Sequence, residues 1–267
     1  MDTSHVLALF DRQLRRDAPP ESPTTRVDRL DGVVRQVGAG PHEWCGILWS
    51  DLDETTADAA VAAQLAWLRT AEAAGREFEW KTYAHDRPAD LGERLRAAGF
   101  TPDPPETLMV GDVAEVIAHT EGAALPAGVR LEPVTDAAGV DLAAAVHEQA
   151  FGTSAERLRA RMLDQIAERG DSVSIVVAMA GDEPVCAARM EFYPGTDFAG
   201  LWGGGTVEHW RGRGIYRALV AHRARVARDA GYGHLQVDAS DQSRPILQRL
   251  GFAALSVTTP YLITAPA

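Results

Sequence analysis

The chain has 267 residues, 46% of them hydrophobic and 24% charged, a balance that excludes a disordered polypeptide and allows one large domain or two ordinary ones. Its 38 acidic and 26 basic residues give a formal charge of −12, which argues against nucleic acid or an anionic membrane surface as the main partner. Cys45 and Cys186 stand far apart without any zinc or disulfide pattern, and no apolar run reaches the roughly 18 residues of a membrane span, so a cytoplasmic protein without a metal is expected.

In chain order, Val6, Leu7, Phe10 and Leu14 share one helical face and predict a short amphipathic helix over 4–16, ending before Asp17-Ala-Pro-Pro20. Strand-like runs follow at 25–30, 32–38 and 44–49. Residues 56–74 carry Val61, Leu65 and Leu68 in helical register, with Gly75 placed as a C-terminal cap. A strand at 78–83, a helix at 91–98 ending on Gly99 and a strand at 107–110 complete the first half; His85-Asp86 reads as turn chemistry, since adjacent loop residues rarely face each other.

The segment 111–128 reads as a crossover, after which the pattern restarts with a strand at 129–133 and a helix at 137–150. Thr153-Ser-Ala-Glu156 has the form of a capping box and predicts a second helix to about 168. Runs at 172–180, 184–192 and 200–207, separated by Gly181-Asp182 and Pro194-Gly195, predict an antiparallel meander. A long helix over 214–230, a strand at 233–238, a helix at 243–250 and two short terminal strands close the chain.

The halves echo one another. Leu48-Trp49, Ala74-Gly75 and Gly99-Phe100 recur in the same order as Leu201-Trp202, Ala230-Gly231 and Gly251-Phe252, about 150 residues on. This order predicts two tandem related units, 1–125 and 126–267, of mixed α/β class with mostly antiparallel sheets.

The chemistry concentrates in Gly205-Thr-Val-Glu-His-Trp-Arg-Gly-Arg-Gly-Ile-Tyr-Arg217, where alternating glycines lie between a strand and a long helix. Such a turn exposes backbone N–H groups at a helix N-terminus, where the dipole favours anions, and Arg211, Arg213 and Arg217 add charge suited to phosphate. A glycine-rich turn leading into a solvated basic helix face is the alternative on these residues alone. The loop lacks the third glycine of the dinucleotide fingerprint and the lysine of a P-loop, so both nucleotide readings weaken.

The stretch Thr206–Tyr216 resembles the acetyl-CoA signature of GNAT acetyltransferases, Arg/Gln-x-x-Gly-x-Gly/Ala, with Arg211 first and Gly214 central; Tyr216 departs from the usual Gly/Ala. The resemblance extends over about 128–264, including the closing Leu250-Gly-Phe252. It implies a GNAT-like acyl-CoA N-acyltransferase fold with acetyl-CoA as cosubstrate. Gly205, Thr206, Val207, Arg211, Gly212, Arg213, Gly214, Ile215, Tyr216 and Arg217 are then the cofactor-binding residues, with pantetheine beside the fourth strand of the domain and a splay between its fourth and fifth strands forming the groove. The acceptor implied is a primary amine of a small molecule, attacking directly in a ternary complex; a homodimer is left open, and a CoA-binding sensor without turnover is the second reading.

Glu191 is the candidate general base, with Glu208 and His209 as alternatives. An amide near Thr206 or Val207 is the expected carbonyl donor. Many relatives place a tyrosine four residues before the Gly-Phe pair as proton donor, and Leu247 stands there, so Tyr193 or Tyr261 would have to be brought to the groove by the fold. In the first half, Ser50-Asp-Leu-Asp-Glu-Thr-Thr56 replaces the glycine loop with three acidic residues, which predicts a degenerate half without CoA.

Overall fold

In the structure, a computed structural model that describes residues 1–30, 32–40 and 43–266, the chain opens with helix α1 (Thr3–Phe10), capped by the Asp2 carboxylate accepting from the amides of Ser4 and His5. It continues into a π-helical segment, Asp11–Arg16, in place of the single α-helix expected over 4–16. Bonding from i to i+5 returns Arg15 to the buried side occupied by Phe10.

Strands β1 (Arg26–Leu30), β2 (Val33–Val37) and β3 (Cys45–Ser50) lead to helix α2 (Ala57–Trp67). This helix stops well short of Ala74 because Thr70 turns both its hydroxyl and its amide onto the Trp67 carbonyl, at 2.7 and 2.9 Å. Strand β4 (Glu77–Tyr83), helix α3 (Leu91–Ala97), the two-residue β5 (Thr101–Pro102) and strand β6 (Glu106–Asp112) follow. The expected crossover holds a helix that sequence reading missed, α4 (Val113–His119), which starts where Asp112 caps the Glu115 amide at 3.0 Å.

Strand β7 (Val129–Pro133) and helices α5 (Ala137–Phe151) and α6 (Glu156–Arg169) match the predicted order. The capping box does not form: no side chain caps α6 in that pattern, and Thr153 instead meets the His147 ring at 3.3 Å. The predicted meander is β8 (Val173–Ala180), β9 (Glu183–Phe192) and β10 (Phe198–Thr206), followed by α7 (Ile215–Asp229), β11 (His234–Ala239) and α8 (Arg244–Arg249). Where two short terminal strands were expected there is one long strand, β12 (Phe252–Thr264).

The chain forms two compact units: Met1–Met109 with Asp238–Arg244 and Ala254–Ala267, and Val110–Val237 with Pro245–Ala253. The last strand from Ala254 onward therefore folds with the N-terminal segment, whereas the sequence repeat suggested one crossing near 125. In the first unit the strand order is β1-β2-β3-β4-β12, with only β3 and β4 parallel, and β12 lies antiparallel to β4 from Thr258↔Tyr83 to Thr264↔Glu77. Ile47, Phe78, Trp80, Leu95 and Phe100 form its core. In the second the order is β7-β8-β9-β10-β11, with only β10 and β11 parallel, over a core that includes Val140, Val146, Met162, Cys186 and Leu219. Each unit thus contains an antiparallel ladder, one parallel pair and a helix joining that pair, β3-α2-β4 in one and β10-α7-β11 in the other.

Arg15 ties the first unit together. Its Nε donates to the Leu48 carbonyl at 3.0 Å, Nη1 to Asp11 at 2.7 Å and Nη2 to both Asp86 oxygens at 2.8 Å. The guanidinium also lies over the rings of Trp49 and Tyr83, 4.7 and 4.0 Å from their centroids. With Arg15 at 2% exposure and Asp86 at 4%, removing the cation strands a buried carboxylate. Arg15→Met is therefore expected to cost about 3–5 kcal/mol in chemical denaturation, with Arg15→Lys recovering only part because it lacks the fork. Burial alone would raise the Asp11 pKa, but His85 and Arg15 outweigh it and hold the carboxyl below its ordinary 3.8. Its contribution is accordingly present above that pH and lost as the pH falls below it, and this acid-side loss should shrink in Arg15→Met.

Candidate functional site

The site begins where two strands part. β10 pairs with β11 through Phe198↔His234, Ala199↔Leu235 and Gly200↔Gln236, and beyond Gly200 it continues on β9 alone. The register to β9 shifts between Trp202 and Gly205, a bulge that bends the strand. From Leu201 to Thr206 one edge of β10 is therefore open among the described residues, which is the splay expected from the sequence.

The strand ends in a short 3-10 turn, Glu208–Trp210, and then the glycine loop. Gly212 and Gly214 have φ of 75° and 84°, a left-handed backbone that L side chains adopt at a cost, and no atom lies within 4 Å of where a Cβ would stand on either. Open space covers the loop. Gly214 is the N-cap of α7, no side chain caps the helix, and the Gly214 carbonyl is taken by Ala218 at 3.0 Å. The amides of Ile215, Tyr216 and Arg217 precede that bond and have no intrahelical acceptor, so they form an anion seat at the positive end of the helix dipole. A diphosphate fits this donor set.

The three arginines divide their work. Arg211 braces the loop, donating to the Thr206 carbonyl at 3.0 Å and to the Ala150 carbonyl at the end of α5 at 2.9 Å. Arg213 stacks over Trp210 at 4.4 Å, and Arg217 donates to the His119 carbonyl at the end of α4 at 3.0 Å. All three stay exposed, so their charge borders the seat. Tyr216 turns inward: a Cβ on Gly204 would lie 2.9 Å from its ring, so the bulky residue at this loop position is matched by a glycine on β10. Burial pushes the Tyr216 phenol up, and Arg223, itself buried and lowered by desolvation, hydrogen-bonds it.

Val207 is buried and its amide is spent on the Val185 carbonyl at 3.0 Å, so of the two expected carbonyl donors only the neighbourhood of Thr206 and the open edge before it stays in question. The Thr206 hydroxyl donates to Cys186 Sγ at 3.1 Å, and burial pushes that thiol up to about 11, a neutral group rather than a nucleophile. Glu191, 3% exposed, accepts from Gln165 at 2.6 Å through Oε1, and the same oxygen lies 3.4 Å from Arg189 and 3.6 Å from Arg161, so the carboxylate sits within a buried network. His209 pairs with Glu183 at 2.7 Å on the surface, and Glu208 is exposed beside it. Leu247 is buried in the second unit, and Tyr261 belongs to the core of the first.

Tyr193 lies at the mouth of the splay. A Cβ on Gly200, the last residue of the β10–β11 pairing, would collide with its hydroxyl, and that hydroxyl accepts from the Trp202 indole at 3.2 Å. Sequence reading missed His147, whose ring packs at 4.8 Å on Phe151, which in turn covers Gly205; burial lowers its pKa.

In the first unit the equivalent framework is closed. β3 and β4 pair in parallel only at Gly46↔Glu79 and Ile47↔Trp80, and beyond them Arg15 spans from the Leu48 carbonyl to Asp86. The loop before α2 supplies its own anion: Asp53 accepts from the amides of Thr55 and Thr56 at 2.9 Å and from both hydroxyls, which, led by the Thr55 hydroxyl, pull its pKa down to about 2.

No curated protein matches the chain. The sequence profile described as the acetyltransferase (GNAT) family matches residues 140–252, a little under half the chain. Among solved structures, a GCN5-related N-acetyltransferase from Kribbella flavida is 17% identical with a TM-score of 0.60, over 99% of this chain and 94% of that one. A tandem GNAT protein from the clavulanic acid biosynthesis pathway is 17% identical with a TM-score of 0.63, over 98% and 94%. A functionally unknown conserved protein from Staphylococcus epidermidis is 13% identical with a TM-score of 0.64, over 94% and 97%. At these identities the structures establish the fold alone: over its whole length the chain has the fold of a tandem GNAT protein, and residues 140–252 are similar to the GNAT acetyltransferase profile.

Proposed function

We propose that the second unit transfers an acetyl or short acyl group from a CoA thioester to a primary amine of a small molecule, and that the first unit binds no CoA. The observation that carries this reading is the uncapped start of α7 behind Gly212 and Gly214, at the end of a strand that has left its parallel partner. The amides of Ile215 to Arg217 would take the diphosphate, with the charge of Arg211, Arg213 and Arg217 around it, and the open edge of β10 from Leu201 to Thr206 would receive the pantetheine amides. Bound there, the thioester supplies an activated acyl carbonyl.

What the chain adds is position and a proton. Tyr193 Oη, accepting from Trp202 at 3.2 Å, stands where the strands separate, which suits protonation of a departing thiolate. Glu191, engaged by Gln165, Arg189 and Arg161, anchors α6 to β9 and is disfavoured as the base. A CoA-binding sensor without turnover predicts binding with no thiol release from any amine.

Calorimetric titration with CoA should give a single equivalent per chain. Gly214→Asp should weaken it about 100-fold or more, because a carboxylate placed near phosphate repels it by several kcal/mol. Gly214→Ala should suffer only the left-handed strain of about 1–2 kcal/mol; undiminished affinity in the aspartate variant would remove the basis of the assignment. Tyr193→Phe is expected to lower kcat about 100-fold at unchanged CoA affinity, measured by thiol release across an amine panel. Glu191→Gln should lower the melting temperature while leaving the shape of the kcat/KM pH profile as it is; disappearance of a profile limb would restore Glu191 as the base.

A further inference from the structure

The first unit contains a second constellation, unconnected with acyl-CoA. Ser256 Oγ on β12 lies 2.8 Å from His85 Nδ1 in the loop after β4, and His85 Nε2 lies 2.9 Å from Asp11 Oδ2 at the start of the π-helical segment. The three residues come from three distant stretches of the chain and meet only through the fold.

The order of the bonds fixes their direction. Asp11 is held ionised, since its other oxygen takes Arg15 Nη1 at 2.7 Å and the His85 and Arg15 interactions outweigh its burial. An ionised carboxylate only accepts, so His85 carries its proton on Nε2 and offers the Nδ1 lone pair to Ser256. A hydroxyl donating to an imidazole that is itself oriented by a carboxylate is the arrangement that activates a serine nucleophile. The Tyr83 ring packs 5.7 Å from that of His85, and Arg15 Nη1 approaches to 3.4 Å of the same Nε2 that faces Asp11.

This chain of bonds opens on a cavity. A depression of about 460 Å³ is lined by His85 and Ser256 together with the apolar Leu7, Leu255 and Val257, and Arg244 stands on its wall. Its size and apolar lining suit a small acyl group, and the arginine supplies positive charge for a carbonyl oxygen that becomes an oxyanion.

We propose that Ser256, His85 and Asp11 form a hydrolytic triad acting on small carboxylic esters with short apolar acyl groups. Ser256 Oγ bonds to the ester carbonyl carbon as its proton passes to His85 Nδ1. The tetrahedral intermediate collapses with cleavage of the bond to the alkoxy oxygen, which leaves as an alcohol with the proton from His85. Water then gives a proton to His85 and its oxygen to the acyl carbon, and the carboxylic acid departs as Ser256 Oγ regains hydrogen. Asp11 keeps the ring in the required tautomer throughout.

The test is covalent labelling of the full chain with a fluorophosphonate, mapped by peptide mass spectrometry, beside hydrolysis of 4-nitrophenyl acetate and butyrate. A phosphonylated Ser256 peptide is expected, absent in Ser256→Ala. Labelling should be slowed at least tenfold in His85→Gln, with ester hydrolysis falling in parallel and circular dichroism showing both variants folded. Gly214→Asp should leave labelling unchanged, which separates this site from the proposed CoA site. An unmodified Ser256 under saturating probe, or equal labelling rates in wild type and folded His85→Gln, would overturn the triad and reduce these bonds to packing.

Discussion

A helix leaves its first-turn amides without intrahelical acceptors, and what satisfies them decides what each unit can do. In the first unit the loop before α2 provides Asp53, whose carboxylate takes the amides and hydroxyls of Thr55 and Thr56. In the second, Gly212 and Gly214 carry the chain into α7 through left-handed turns with no side chain to cap it and empty space above. A carboxylate of the chain holds the turn ahead of α2, whereas the turn ahead of α7 is built from glycine and arginine.

The strand pairs repeat that contrast. A parallel pair that separates after two or three residues leaves open backbone edges, and such groups have to find partners. Arg15 fills the gap in the first unit, bonded to Leu48 and Asp86 and sandwiched by Trp49 and Tyr83, so the groove is part of the core. In the second unit the open edge of β10 is preserved by packing on its flanks. Tyr216 fits because Gly204 has no side chain, and the buried Arg223 is satisfied by the Tyr216 hydroxyl and the carbonyls of Leu219 and Arg189, the latter two at 3.4 Å. An arginine without a carboxylate in such a place carries a desolvation cost, which its lowered pKa reflects.

The last strand shows how tandem repeats can share a chain without being separable in sequence. β12 runs unbroken from Phe252 to Thr264, and from Ala254 its residues complete the sheet of the first unit along β4. That placement brings Ser256 beside His85 and Asp11, and places Tyr261 in the core of the first unit. A truncation at the apparent boundary near 125 would deprive the first unit of a strand.

Periodicity and punctuation made most elements legible: the meander β8 to β10, the long α7 and the repeated order of strands and helices follow from alternation, helical spacing and glycine stops. The left-handed glycine turn before α7 was legible too, because local backbone rules act over a handful of residues. What sequence could not reveal was which side chains the fold spends elsewhere. His85-Asp86 looked like a turn because neighbours cannot face each other, yet each finds a partner more than 70 residues away. Glu191, the candidate base, lies buried against two arginines and a glutamine, while Tyr193 is brought to the separating strands by the course of β9 and β10. The sequence by itself determined most of the elements, their repeated order and the glycine loop before the long helix, since those depend on short-range sterics and hydrogen bonding. Tertiary structure alone decided which groove is filled, which carboxylate is engaged and which hydroxyl is exposed to chemistry, since burial and long-range pairing exist only once distant segments have packed.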